Sequence, residues 1–203
     1  MKIICVGRNY IEHVKELNNV VNSQPVIFLK PETAQLQTKL PFFIPKFSSE
    51  IHYEVELVLK INKTGKNIQE KFAGKYYDEI GIGIDFTARD LQTELKSKGL
   101  PWELAKAFDG SAPTGEFISK EKFKSVTDIN FKLLKNNKVV QEGNSKDMIF
   151  SFDKIVSFVS AFITLKKGDL IFTGTPAGVG AVKTNDTLDA FIGEEKLLTV
   201  KVK

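Results

Sequence analysis

The alternation of apolar and polar residues predicts many short strands. Between positions 51 and 61 the two kinds of side chain alternate almost without a break, and a period of two is typical of a half-buried strand. The turn-prone pair Asn136-Asn137 predicts a hairpin. Shorter apolar runs predict further strands at 1–7, 25–29, 80–85, 129–134 and 138–142.

Three segments have the spacing or the start signals of helices. The first is predicted from about residue 10 to 17. In the second, Thr87 caps a helix that continues to about Lys98, with Asp90 in the place of a capping-box acid. The third begins at Ser151 or Asp153. Its apolar positions at helical spacing are Ile155, Phe158, Val159 and Phe162. Strands outnumber helices without regular alternation, so the predicted class is α+β, dominated by sheet, in a single domain over 1–203.

Composition and charge exclude several classes of protein. The 203 residues include one cysteine, Cys5, which lies in an apolar run and is predicted to be buried and inert. The net charge is +4, but even the densest lysine run, 120–124, is interrupted by an acid. We interpret it as a solvated face and not a nucleic-acid site. No run approaches the roughly 20 apolar residues of a membrane span, and no signal peptide is recognisable. We therefore expect a cytoplasmic protein without a nucleic-acid or membrane partner.

Three carboxylates are candidate metal ligands. Glu54 and Glu56 lie two apart on a predicted strand, so both project from one face about 6.6 Å apart. Convergent carboxylates repel each other unless a cation lies between them, and their oxygens suit Mg²⁺, Mn²⁺ or Ca²⁺. Asp85 ends a strand whose same face carries Gly81 and Gly83, which favours the close approach of a ligand. The alternative is an exposed strand face, a bulge at the glycines and an acid that opens the next turn.

Two further motifs can supply acid–base chemistry. His13 and Glu16 share a helix face, so Glu16 can orient the imidazole as a general base; the alternative is a surface pair. Lys106 lies between aromatic and small residues, either beside a site or snorkelling from a half-buried helix. The glycine-rich segment 172–180 exposes backbone N–H groups that can bind an anion such as a carboxylate, although a plain turn fits equally well.

Seven stretches follow one another along the chain in a recognisable order: 6–10 with His13, 28–31, 52–57, 85–90, 98–102, 148–151, and 173–176 with 178–180. Together and in this order, they resemble the fumarylacetoacetate hydrolase family, and above all its short members, the acylpyruvases also described as oxaloacetate decarboxylases. The resemblance covers essentially the whole chain and implies a mixed β-roll with peripheral helices, a homodimer, and one divalent ion, Mg²⁺ or Mn²⁺.

The resemblance also implies roles for individual residues. A lid helix at about 10–24, with a hinge in the polar stretch 18–24, carries the His–Glu dyad. The residues after the lysine, Phe108-Asp109-Gly110, depart from the acylpyruvase pattern, which bears on the substrate. The implied set is Glu54, Glu56 and Asp85 as metal ligands, His13, Glu16 and Lys106 as catalytic residues, and Arg8, Arg89, Gln92 and Thr175 as substrate contacts.

The implied reaction is divalent-metal-dependent hydrolysis of a C–C bond in acylpyruvates (2,4-dioxo acids), which gives pyruvate and a carboxylate. Oxaloacetate decarboxylation is a second reaction for the same site. One alternative is an isomerase or hydratase of 2-hydroxy-dienoate dicarboxylates. An alternative of another class is a non-catalytic, metal-stabilised binding domain.

Overall fold

The structure, a computed structural model, describes residues 1–16, 22–37 and 39–203. The helices are α1 (Ile11–Glu16), α2 (Glu70–Ala73), α3 (Arg89–Ser97), α4 (Glu103–Lys106) and α5 (Phe152–Phe162). The strands are β1 (Ile3–Val6), β2 (Ile27–Lys30), β3 (Ile51–Tyr53), β4 (Val55–Ile61), β5 (Tyr77–Ile84), β6 (Thr87–Ala88), β7 (Thr114–Ser119), β8 (Asn130–Lys135), β9 (Lys138–Asn144), β10 (Leu170–Phe172), β11 (Gly180–Ala181), β12 (Thr187–Ile192) and β13 (Glu195–Lys201).

The strands form three sheets. The largest has the order β2-β1-β10-β4-β5-β7, the second the order β11-β3-β6, and the third the order β13-β12-β8-β9. The pair β1–β10 is parallel and the other pairs are antiparallel, so the first sheet is mixed. In β4, Leu57 and Val58 point to opposite faces and both are fully buried. The predicted class, α+β dominated by sheet, is confirmed.

The long strand predicted from 51 to 61 is interrupted at Glu54. β3 pairs with β6 and β11, whereas β4 pairs with β5 and β10, so the chain changes sheets between Tyr53 and Val55. At this change of sheets, the Val55 N–H donates to a side chain, Gln141 Oε1, at 2.9 Å and not to a neighbouring strand. Hydrophobic alternation continues across the break because both halves are buried, which is why the pattern did not reveal it.

Several local predictions are confirmed. The hairpin between β8 and β9 turns at Asn136 and Asn137, whose φ angles of 53° and 63° suit a tight turn. Ser151 caps α5, because its side chain accepts a hydrogen bond from the Lys154 N–H. The predicted apolar face of α5 is only partly buried, since Phe162 is 66% exposed.

The prediction that Thr87 caps a helix is wrong. Thr87 lies in β6 and Ala88 is the N-cap of α3. The Asp90 carboxylate, assigned to a capping box, instead accepts hydrogen bonds from the side chains of Ser48 and Ser49. The acid of the expected capping box thus forms a tertiary contact with residues 41 and 42 positions away in the chain.

The first predicted helix ends, within the described residues, at Glu16. The hinge prediction for 18–24 falls largely on residues 17–21, which lie outside the described residues, and the same five residues form the middle of the lid predicted for about 10–24. Residues 22–24 are described and are not helical. Among the helices that the structure describes, none has the length and apolarity to cross a membrane.

Candidate active site

The three predicted metal ligands converge at the end of the β4–β5 ladder. Glu56 lies opposite Gly83 in that ladder, and the Asp85 N–H donates to the Glu54 carbonyl at 2.8 Å. One carboxylate oxygen of each acid lies within 4.8 Å of the other two. All three side chains are buried, so the alternative of an exposed strand face is wrong.

The cluster of three carboxylates, Glu54, Glu56 and Asp85, fits a divalent cation. Asp85 Oδ1 is buried and, among the described residues, accepts no hydrogen bond. Lys30 Nζ lies 2.8 Å from this oxygen. Its three N–H donors, however, are directed to Phe86 O, Ser111 O and Ser111 Oγ. A buried carboxylate oxygen with an unused lone pair, beside two more carboxylates, is the donor set that Mg²⁺ and Mn²⁺ prefer.

The charges around the three acids are unevenly distributed. Burial favours a protonated Glu54, but the charges of Lys106 and Arg89 outweigh it and hold the Glu54 pKa well below its usual range. Glu56 has the opposite shift: burial, then the charges of Asp85 and Glu54, raise its pKa well above the usual value. A cation in the group would remove the repulsion that raises this pKa.

Lys106 is held inside the site and does not snorkel. Lys106 is 3% exposed. Its Nζ donates to Glu54 Oε2 and Asp85 Oδ2, each at 2.8 Å, and to Thr87 Oγ1. Burial lowers the Lys106 pKa, but Asp85 and Glu54 reverse that effect and raise it. The ammonium group therefore stays charged against the two carboxylates.

The His13–Glu16 pair on α1 faces the same site. His13 Nδ1 lies 3.3 Å from Glu16 Oε2, and His13 is 3% exposed, so the alternative of a surface pair is wrong for this residue. Burial lowers the His13 pKa, against smaller raising contributions from Glu54 and Glu16. The imidazole is therefore neutral at physiological pH and able to accept a proton.

The glycine-rich segment binds carboxylates, and they belong to the protein. The Gly174 N–H donates to Glu56 Oε2 at 2.6 Å, and the Gly178 N–H donates to the Glu16 carboxylate at 3.0 and 3.2 Å. Both glycines have positive φ, 101° and 99°. One loop thus orients a candidate metal ligand and the acid that contacts the candidate base.

Gly81 and Gly83 serve packing and not a ligand. A Cβ at Gly81 would lie 2.8 Å from the Phe117 ring, and one at Gly83 would lie 2.6 Å from the Phe172 ring. The β5–β7 register also shifts between these glycines. The expectation of a bare face for a ligand is therefore wrong, and the alternative of a bulge is correct.

Three of the four predicted substrate contacts line one cavity with the candidate catalytic residues. Arg8, Arg89 and Gln92 lie around it with His13, Glu54 and Lys106. Its volume of about 10 Å³ is room for about one water molecule, so its walls must move to admit any larger ligand. Thr175 is not among the lining residues. Its hydroxyl accepts a hydrogen bond from Gln141 Nε2 at 2.9 Å.

The fumarylacetoacetate (FAA) hydrolase C-terminal family model matches residues 2–202. The chain belongs to the fumarylacetoacetate hydrolase family. The predicted family is confirmed. The relatives whose names state an activity are enzymes, so the chain is an enzyme and the alternative of a non-catalytic binding domain is excluded.

Relatives within the family carry the names of different reactions. The chain is 46% identical over 201 residues to the oxaloacetate tautomerase FAHD1, mitochondrial, of Mus musculus, over 99% of this chain and 91% of that protein. It is 42% identical over 188 residues to an oxaloacetate decarboxylase, mitochondrial, of Dictyostelium discoideum (92% and 86% covered). The crystal structure of fumarylpyruvate hydrolase from Pseudomonas aeruginosa in complex with Mn²⁺ and pyruvate is 35% identical, with a TM-score of 0.93 over 100% of this chain and 89% of that one.

Sequence analysis missed three residues of the candidate active site. Lys30 lies in a matching stretch and contacts Asp85. Gln141 links the Val55 N–H to the carbonyl of Pro176 and so joins β4 to the glycine-rich loop. Lys96 lines the cavity. The matching stretch 28–31 was a signal for Lys30. The signal for Lys96 was its spacing: with Arg89 and Gln92 it forms an i, i+3, i+7 series, which places all three on one helix face.

Proposed function

We propose that this chain is a divalent-cation-dependent enzyme of small 2-oxo acids that hydrolyses the C–C bond of acylpyruvates and also acts on oxaloacetate. One observation carries the proposal: a neutral, buried imidazole with its own carboxylate partner shares a cavity with Glu54 of the three-carboxylate group. A base and a cation site that serve one small cavity suit substrates whose carbonyl must be polarised while a proton moves.

The cation would be held by Glu54, Glu56 and Asp85, and we propose Mg²⁺, with Mn²⁺ as the alternative. Bound there, it would polarise the 2-oxo group and stabilise the negative charge that develops on the substrate. The Mn²⁺ in the similar fumarylpyruvate hydrolase structure supports a divalent ion of this kind.

In hydrolysis, His13 accepts a proton from a water molecule that attacks the distal carbonyl carbon of the acylpyruvate. Glu16 keeps the imidazole oriented and stabilises its charged form. The C–C bond between this carbon and the methylene group then breaks, its electron pair gives the enolate of pyruvate, and the acyl group leaves as a carboxylic acid. A proton returned to the methylene carbon gives pyruvate. The charge of Lys106 favours the anionic species in this sequence.

Oxaloacetate is a second candidate substrate because the mouse relative at 46% identity is named an oxaloacetate tautomerase. Tautomerisation moves a proton between the methylene carbon and the 2-oxo oxygen. His13 can carry that proton without any attacking water. Decarboxylation, the reaction in the name of the Dictyostelium relative, gives the same pyruvate enolate after the loss of CO₂. Both reactions therefore need proton transfer at the carbon that hydrolysis also uses.

The proposed assembly and location are a homodimer and the cytoplasm, in a single domain and with no nucleic-acid or membrane partner. Both the mouse and the Dictyostelium relative have "mitochondrial" in their names, so the location needs a test of its own. Light scattering of the purified protein tests the dimer, and fractionation of cells that express the tagged chain tests the compartment.

The decisive experiment restores a cation to chelator-treated protein. We expect the absorbance of acetylpyruvate, and of enol-oxaloacetate, to decay enzymatically only after Mg²⁺ is added. In Glu54→Gln the rate should fall by more than the roughly 10–100-fold typical of an outer-shell partner of a metal. Glu116→Gln is the matched control, because Glu116 is exposed on β7.

The outcomes separate the candidate reactions. No turnover of either substrate by the Mg²⁺-loaded protein contradicts the proposal. Turnover of oxaloacetate alone removes the hydrolytic part, and turnover of a 2-hydroxy-dienoate dicarboxylate alone replaces it with the isomerase alternative. If His13→Ala abolishes hydrolysis but leaves decarboxylation largely intact, the imidazole acts through water; equal loss of both argues against that role.

A further inference from the structure

Four cationic side chains surround the small cavity of the candidate active site. They are Arg8, Arg89, Lys96 and Lys106. Arg89 and Lys96 lie seven residues apart on α3, so both project from the helix face that carries Gln92. This concentration of positive charge exceeds what Glu54, the only acid among the lining residues of this described cavity, can neutralise.

The four cations differ in their partners. Arg89 and Lys106 both form ion pairs with Glu54, and Lys106 also pairs with Asp85. Arg8 and Lys96 form no ion pair with any acid in the described parts of the chain. Two of the four charges therefore remain available to an anion in the cavity.

Lys96 is held in place by packing although it lacks an acidic partner. Its Nζ lies 5.2 Å from the centroid of the Trp102 ring, and Trp102 packs against Phe28 with ring centroids 6.1 Å apart. A Cβ at Gly7 would lie 3.3 Å from the Trp102 ring, so the backbone next to Arg8 approaches the same aromatic surface. Burial, and then the charges of Arg8 and Arg89, lower the Lys96 pKa. An anion between these cations would relieve that repulsion.

We propose that Lys96, together with Arg8, binds a second carboxylate of the substrate, so that the site turns over 2-oxo monocarboxylates such as acetylpyruvate but has a lower KM for 2-oxo dicarboxylates such as oxaloacetate. This inference rests on the proposed function, because it places the 2-oxo acid end of the substrate at the cation site formed by Glu54, Glu56 and Asp85. A substrate whose only carboxylate is at that end would leave the charges of Lys96 and Arg8 without a partner. A dicarboxylate would pair its second carboxylate with them. Such a charged hydrogen bond is roughly twice as strong as a neutral one.

The test compares two substrates that differ only at the far end. Oxaloacetate has a second carboxylate there, and its 4-ethyl ester does not, while both keep the same enolisable 2-oxo acid. In Mg²⁺-loaded Lys96→Met, we expect KM for oxaloacetate in the tautomerisation assay to rise about tenfold or more, with kcat changed less. KM for the ester should stay within about twofold of wild type, since methionine keeps the aliphatic contact with Trp102.

Lys98→Met is the matched control. Lys98 lies at the end of the same helix, is exposed, and pairs with Glu94 at 2.6 Å. Its substitution removes the same charge from the protein and should change neither KM. Lys96→Arg should recover most of the discrimination, because it restores a cation. Oxalate, which has no far carboxylate, should bind wild type and Lys96→Met with the same calorimetric Kd, which shows that the rest of the site is intact.

Three results would overturn the inference. They are an equal rise of KM for oxaloacetate and its ester, an unchanged KM for both, or the same loss in Lys98→Met. If wild type turns over neither substrate, the proposed function fails, but the inference is still tested by binding. Oxaloacetate should then displace oxalate from wild type more strongly than the ester does, and Lys96→Met should remove this difference. Equal displacement by the two compounds would contradict the role of Lys96.

Discussion

At the scale of single residues, the state of His13 determines when the site can work. Burial lowers the His13 pKa, and Glu16 acts in the opposite direction through a hydrogen bond and its charge. The ordinary histidine pKa is about 6.5. The imidazole therefore becomes charged only at a pH below this value, and it is a neutral base at pH 7.

This leads to a prediction with a definite sign. Hydrolysis by wild type should lose activity on the acidic side only below about pH 6.5. In Glu16→Gln the amide oxygen can still accept from Gly178, but the negative charge is gone, so the acidic limb should move to lower pH. A pH profile of kcat/KM measures both variants. His13→Gln should lower hydrolysis by about 10²–10⁴-fold, and an acidic limb that moves to higher pH in Glu16→Gln would contradict the interpretation.

At the scale of elements, α1 and the glycine-rich loop form one functional unit. The Gly178 N–H donates to Glu16 on α1, and the same loop holds Glu56 through Gly174. Gln141 on β9 fixes the segment between these glycines, since its side-chain amide donates to Thr175 and Pro176. The position of the candidate base therefore depends on the loop as much as on its own helix.

We predict that Gly178→Ala is damaging in two ways. Gly178 has φ +99°, and a Cβ would lie 2.3 Å from the Val140 carbonyl oxygen, so the loop must shift. Backbone strain alone costs about 1–3 kcal/mol of unfolding free energy, and the shift removes the donor to Glu16, which should lower kcat.

Gly168→Ala is the control for this prediction. Gly168 has φ +89° but nothing within 4 Å of the added Cβ. It should lose stability through strain alone and keep its kcat. Urea unfolding and steady-state kinetics on both variants separate the two effects, and equal kcat values would show that the loop does not position the dyad.

At the scale of the whole molecule, the cluster of Glu54, Glu56 and Asp85 links cation binding to stability. Burial and the neighbouring acids raise the Glu56 pKa, so the folded protein without a cation keeps a proton that the unfolded chain releases. The stability due to this proton is present below the ordinary Glu pKa and is lost as pH rises toward the folded pKa. A cation that replaces the proton should therefore stabilise the protein more at higher pH.

The expected increment can be measured as a melting temperature. At a Mg²⁺ concentration about 100 times Kd the gain is about 2.7 kcal/mol, or roughly 5–10 °C for a domain of this size. The increment should be larger at mildly alkaline than at mildly acidic pH in wild type and in Glu116→Gln, and small in Glu56→Gln. An increment that shrinks as pH rises would refute this linkage.

The amino-acid sequence by itself determined the features that depend on short spacing. Alternation identified the region of β3 and β4, and short apolar runs identified β1, β2, β5, β8 and β9. Asn136-Asn137 identified the hairpin and Ser151 the start of α5, because these signals act between neighbours. None of these signals identified β6, β7 or α2. Most of the candidate site residues were also recognisable, through seven motifs in family order, whereas Lys30, Gln141 and Lys96 were missed. Lys106 was an exception at the local level, since its surroundings favoured a snorkelling side chain.

Tertiary structure decided how these pieces meet. Lys106 reaches Asp85 across 21 residues and Gly174 reaches Glu56 across 118, and no periodic pattern encodes such pairings. The break at Glu54, the rings over Gly81 and Gly83, and the unpaired charge of Lys96 each depend on which strands and helices become neighbours. Local preference sets the elements, but the burial of polar groups and their partners is fixed only when distant segments pack together.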